Sequence, residues 1–163
     1  MRAGVDSIEH GLFLTEEDVA TMVDHGTFLV VTAGSFFVIR DDPQVPQFQK
    51  DKVGNAITDH LAMLGRAREA GLRIAVGTDE NHGKLWFEMQ TLCEVGYSPM
   101  EAIRAATADG AELLGIADAT GTLEVGKSAD VIAVDGDPSS DVAAVRNVRA
   151  VMKGGTLQFA DGS

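Results

Sequence analysis

An apolar triplet, Ile74, Ala75 and Val76, breaks off at Gly77 into the polar run Thr78, Asp79, Glu80, Asn81 and His82. This abrupt change constrains the fold more than any other stretch. A short, wholly apolar run reads as a buried strand of an α/β protein. Gly77 allows another part of the chain to come close. The polar residues then arrive together at the strand's C-terminal end, where α/β folds bind ligands and do chemistry. Alternation puts Asp79 on the face of Ala75 and Gly77, which in a closed barrel is the interior. A second stretch near the start of the chain has the same form. Residues 5–10 read as a strand that ends in His10, and Gly11 follows it.

The segments between these two stretches alternate in type. Thr15 with Glu16, Glu17 and Asp18 has the pattern of a helix N-terminus, a hydroxyl cap followed by acids in the first turn. Val19, Met22 and Val23 continue at helical spacing, and Gly26 stops the helix. Residues 27–32 are apolar and β-branched, a second strand. Strand, helix and strand at this spacing form a βαβ unit with parallel strands. Residues 33–50 read as an irregular loop broken by Pro43 and Pro46. A helix is expected over about residues 51–70, with Ile57, Leu61, Leu64 and Ala67 on one face. Another is expected over residues 84–95, with Leu85, Met89 and Leu92 as its stripe. Ser98, Pro99 and Glu101 form a capping box with proline at the first helical position. Thr107 is expected to cap a short helix ending at Gly115. Beyond Gly115 the pattern changes to short runs near residues 121–123, 130–135 and 148–153, separated by Gly and Pro turns. These read as antiparallel strands, with Gly154 and Gly155 as a hairpin turn.

Composition excludes several classes. The 163 residues carry a formal net charge of −12, which opposes binding to a phosphate backbone, so no nucleic-acid partner is expected. No apolar run is long enough to span a membrane. The N-terminal residues lack the apolar core of a signal peptide. Cys93 is the single cysteine, so no intrachain disulfide forms, and a cytoplasmic setting is expected.

Four motifs together resemble the amidohydrolase superfamily, in particular its imidazolonepropionase-like and prolyl-dipeptidase-like metal-dependent hydrolases. They are Ala3-Gly4-Val5-Asp6-Ser7-Ile8-Glu9-His10-Gly11, Ile74-Ala75-Val76-Gly77-Thr78-Asp79, Ser98-Pro99-Met100-Glu101-Ala102-Ile103-Arg104-Ala105-Ala106-Thr107, and Gly121-Thr122-Leu123-Glu124-Val125-Gly126-Lys127-Ser128-Ala129-Asp130. Members of that family are (β/α)8 barrels, and such a barrel needs about 250 residues. The resemblance therefore implies only the C-terminal part of one. Residues 1–115 would be barrel strands six to eight with their helices, a partial TIM barrel, and residues 116–163 part of a small antiparallel β-sandwich. By position His10 matches the strand-six metal ligand. Asp79 matches the strand-eight aspartate that binds metal and takes a proton from the attacking water. His82 matches a substrate-contacting position. The family's His-x-His on strand one, its strand-four lysine and its strand-five histidine have no counterpart here.

The resemblance implies hydrolysis of C–N bonds in a small-molecule amide, dipeptide or cyclic amide, with zinc or another divalent metal as cofactor. A metal-bound water ionises near neutral pH, and a carboxylate beside it can take its proton. Imidazole and carboxylate are suitable zinc donors, but a catalytic zinc takes about three protein ligands and only two inherited positions are present. Two readings follow. One is the C-terminal part of such a hydrolase, inactive alone. The other is a non-catalytic α/β fragment that binds a complementary half or itself, because three barrel strands leave open edges. The second predicts a bare apolar face on the strands near residues 27–32 and 73–78. Asp79 is equally a residue type that caps a turn. His25 reads as a helix C-terminal residue favoured by the dipole. His60 is expected to face solvent, and Cys93 to be a small buried hydrophobe.

Overall fold

Alternation along the strands decides how the layers form. The computed structural model describes residues 4–79 and 83–161. Strands β1 (Ser7–Glu9), β2 (Phe28–Val31) and β3 (Ile74–Val76) form a parallel sheet in the order β1-β2-β3. Leu29 is in register with Ile8 and Ile74, and Val30 with Glu9 and Ala75. Leu29, Val31 and Ile74 turn to one side and meet the helices. The helices are α1 (Glu16–His25), α2 (Gly34–Asp41), α3 (Gln47–Glu69), α4 (Leu85–Glu94), α5 (Pro99–Ala105) and α6 (Ala108–Leu113). Val19 and Met22 of α1, Met63 and Leu64 of α3, and Leu92 of α4 close the core on that side.

The other face of the sheet is not the bare patch expected from sequence. Phe28, Val30 and Ala75 on it are only 4%, 9% and 3% exposed, and Leu113 of α6 packs against them. The short α6 folds back to cover strand residues that sequence reasoning left open.

Local signals explain most element ends. Thr15 caps α1 with a full capping box, and Gly26 ends it with φ 65°, a left-handed conformation that glycine adopts without strain. Ser98 Oγ accepts from Glu101 N, and Glu101 Oε2 accepts from Ser98 N at 2.6 Å. Ser98→Ala removes the first of these bonds, and chemical denaturation is expected to show a loss of about 1 kcal/mol.

Three local expectations need correction. Residues 34–41 are helical, because Pro43 and Pro46 bound helices instead of interrupting them. Asp42, before Pro43, is extended at ψ 118°, as a residue preceding proline prefers. Thr107 does not cap α6; its hydroxyl donates backwards to Ile103 O at 2.7 Å. Residues 121–123 form no strand.

A second sheet, antiparallel and ordered β4-β5-β6, comprises β4 (Val131–Val134), β5 (Val148–Lys153) and β6 (Thr156–Ala160). The turn at Gly154 and Gly155 joins β5 to β6 as expected. A 3-10 helix, Val142–Arg146, precedes β5. Its Val142 is buried in the core of the first sheet, and the Arg146 guanidinium lies 4.2 Å from the Trp86 ring centroid on α4. Among the described residues no helix is long and apolar enough to cross a membrane.

Candidate functional site

Parallel strands bring their C-terminal ends to one edge of the sheet. His10 follows β1 directly and Asp79 lies three residues past β3, so both sit at that end, on strands flanking β2. His82 lies outside the described residues. Among the described residues only three besides glycine have positive φ: His10 at 65°, Phe13 at 67° and Asp79 at 50°. Such backbone is uncommon for residues with side chains, although His and Asp are enriched there. It persists where the surroundings over-determine it, often at functional sites.

The surroundings of His10 are well defined. Its backbone N–H donates to Val30 O at 3.0 Å, continuing the ladder, and Gly11 N–H turns back to Glu9 O at 2.7 Å. The imidazole Nδ1 lies 2.5 Å from Thr32 Oγ1, just past the end of β2. Asp79 is exposed.

Two buried ionisable residues near this end were not expected. His60 of α3 is 2% exposed and does not face solvent. Among the described residues neither ring nitrogen has a hydrogen-bond partner, and the edge of Phe36 packs against the ring with centroids 5.8 Å apart. Burial, and then the charge of His10, push its pKa down to about 4, so the ring is neutral. Glu88 of α4 is 1% exposed. Its Oε1 accepts from Gly34 N at 2.7 Å, in the turn after β2, while Oε2 has no partner among the described residues. Burial raises its pKa to about 7, against the pull of the Gly34 and Ala33 backbone bonds.

The sequence carried a signal for both. Glu88 sits on the Leu85 and Leu92 stripe, and His60 shares a face with Ile57 and Leu64. A polar residue inside an apolar helical stripe is buried with it. Cys93 is half-buried and packs against the core, with its thiol pKa raised chiefly by burial. His25 ends α1, its Nδ1 2.8 Å from Thr21 O.

The arrangement has a limit as a metal centre. Among the described residues no three His, Cys, Asp or Glu side chains cluster closely enough to hold a metal ion. His10 and Asp79 are suitable donors, but two are one short of the usual three. The described residues of this chain therefore do not by themselves fit a catalytic zinc. Two surface cavities, of about 290 and 490 Å3, lie elsewhere; the first is lined by Arg73, Tyr97 and Arg104, the second by Asp135, Asp141 and Arg146.

Known proteins resemble the chain over most of its length. A family model described as "Amidohydrolase family" matches residues 1–157. The imidazolonepropionase of Pseudomonas fluorescens is 32% identical over 144 residues, covering 84% of this chain and 31% of its own length. The ochratoxinase of Aspergillus niger is 33% identical over 165 residues, covering 96% of this chain and 34% of its own. Among solved structures, a Xaa-Pro dipeptidase with bound methionine in its active site superposes with a TM-score of 0.86 at 38% identity, covering 98% of this chain and 41% of that one. The chain thus spans about a third of the length of the curated relatives it matches.

Proposed function

Because the chain belongs to the amidohydrolase family, we propose that it is the C-terminal share of a metal-dependent hydrolase of C–N bonds, inactive by itself. The observation that carries this reading is the pair of left-handed residues, His10 and Asp79, at the same end of one parallel sheet. Residues 1–115 would supply strands six to eight of a TIM barrel, and residues 116–163 a segment of the accompanying β-sandwich. The substrate would be a small amide, dipeptide or cyclic amide, as the names of the relatives suggest for those proteins.

The roles follow from residue chemistry. Asp79 is an exposed carboxylate, able to take a proton from an attacking water and return it to the leaving nitrogen. His10, held at Nδ1, has Nε2 left to meet a ligand. His82 would contact substrate. The family is generally metal-dependent, and zinc or another divalent ion would need donors beyond His10 and Asp79, supplied by the missing barrel strands.

The second reading, a non-catalytic fragment that binds a complementary half or a second copy, is favoured by that incomplete donor set and by exposed Ile132, Leu157 and Phe159 on the antiparallel sheet.

One experiment separates the two. The chain is produced alone, and also fused behind the preceding part of the dipeptidase relative in place of that protein's own C-terminal part. The chain alone is expected to hold less than stoichiometric zinc and to leave Xaa-Pro dipeptides intact. The fusion is expected to hydrolyse them, and Asp79→Asn in it to lower turnover by about 10²–10⁴-fold. A folded, zinc-loaded fusion without activity would favour the fragment reading.

A further inference from the structure

The structure assigns Thr32 as the positioning residue of His10: its hydroxyl oxygen accepts the imidazole Nδ1–H and leaves Nε2 as the ring nitrogen with a lone pair to offer. This rests on the reading that His10 serves a ligand at the C-terminal end of the sheet. It adds what fixes the tautomer of the ring.

Three observations converge on Thr32. The first is the contact itself, 2.5 Å between Oγ1 and Nδ1, with Thr32 only 4% exposed, so water is largely kept from replacing it. The second is Gly77 on the neighbouring strand's extension. A Cβ placed there would lie 3.5 Å from Thr32 Cγ2 and 3.3 Å from Val30 Cγ1. The threonine methyl therefore lies beside Gly77 at ordinary packing distance. A β-branched residue is stiff at χ1. With its methyl seated against Gly77, its hydroxyl is held toward the strand on the other side, where His10 stands. The third is Glu88, whose buried carboxylate accepts from Gly34 N two residues after Thr32 and pins the turn there.

The direction of the bond follows from the chemistry of imidazole. A neutral ring has one N–H and one lone pair, and the bond made by one nitrogen decides what the other offers. A nitrogen that meets a metal or accepts a proton needs the lone pair, so its opposite number carries the hydrogen and donates it to an oxygen nearby. Thr32 Oγ1 is that oxygen.

The tautomer can be read directly, without metal or turnover. Long-range nitrogen–proton correlation spectra of the ¹⁵N-histidine-labelled full chain, in metal-free buffer at a pH where His10 is neutral, distinguish the two forms. His10→Gln identifies the His10 signals by their loss. The wild type is expected to show His10 as the Nδ1–H form. Thr32→Val keeps the shape and removes the oxygen, and is expected to give a mixture of both forms. Thr32→Ser restores the oxygen and the Nδ1–H form, while the His25 signals stay unchanged in both variants. A wild-type spectrum showing the Nε2–H form overturns the assignment even if no variant folds. So does a Thr32→Val spectrum identical to wild type. Absence of hydrolase activity in the fusion described above would instead count against the functional reading and leave the tautomer result standing.

Discussion

Leu29→Ala is expected to destabilise the protein by about 2–5 kcal/mol, and its effect should not add to that of Gly11→Ala. Leu29 is fully buried in the central strand, in register with Ile8 and Ile74. Removing its three outer carbons loses their transfer free energy and leaves a cavity between sheet and helices. Gly11 lies over the same side chain. A Cβ there would sit 2.5 Å from Leu29 Cδ1 and 3.2 Å from Met63 Cε, on a backbone with φ 69°. Gly11→Ala is therefore expected to cost about 1–3 kcal/mol from overpacking, with backbone strain in addition. In the double variant the Leu29 atom is gone, so the worst part of the clash disappears, while the backbone strain and the tight contacts at 3.2 Å to Leu14 Cδ1 and Met63 Cε remain. Denaturant titration of the four proteins in the cycle reads this as a coupling energy. Strict additivity would mean that Leu29 and Gly11 are not in contact.

The second large effect concerns pH. Glu88 has its pKa raised from 4.5 to about 7 by burial. In the folded state it holds a proton that the unfolded chain has released. Its contribution to stability is fully present below 4.5 and is lost as pH rises through 7. His60 is depressed from 6.5 to about 4, mainly by burial and further by the facing charge of His10. Its contribution is present above 6.5 and is lost as pH falls through 4. Each is worth about 3 kcal/mol over its own window. The windows overlap and the slopes are opposite, so the wild-type stability profile is expected to be nearly flat between about pH 4.5 and 6.5 on this account. Glu88→Gln removes one slope and leaves a protein that weakens on acidification. His60→Phe removes the other and leaves one that weakens as pH rises. Urea titration at several pH values would show the two variants diverging in opposite directions. Parallel profiles for wild type and both variants would mean that neither group titrates out of step with the unfolded chain.

These residues also show what sequence reasoning reads well and where it stops. Periodicity and caps were legible because they are local. Thr15, Gly26 and Ser98 mark ends with the chemistry of their own side chains or backbone, and the structure has helix ends at each. The apolar strand runs were legible for the same reason, as was the placement of His10 and Asp79 past them. Thr107 misled because a threonine hydroxyl satisfies a carbonyl one turn back as readily as it caps. The proline pair at 43 and 46 read as a loop, yet two prolines can equally bound adjacent helices. The contact between Thr32 and His10 joins residues 22 positions apart and depends on strand register, which no local pattern fixes. The fate of the inner sheet face depended on where α6 folds back, again a matter of tertiary packing.

The 3-10 helix before β5 has a consequence for how the chain unfolds. Composition changes near residue 116, and the antiparallel sheet shares no strand with the parallel one. Val142 is nevertheless part of the core built by α3, α4 and α5, and Arg146 rests on Trp86 of α4. Loss of the later segment thus opens a hole in the earlier one, and loosening of α4 releases the later segment's anchor. Units that share buried atoms melt together and do not fray apart one after the other. In cooperativity, as distinct from architecture, the two sheets are expected to behave as one body, which scanning calorimetry would show as a single melting transition.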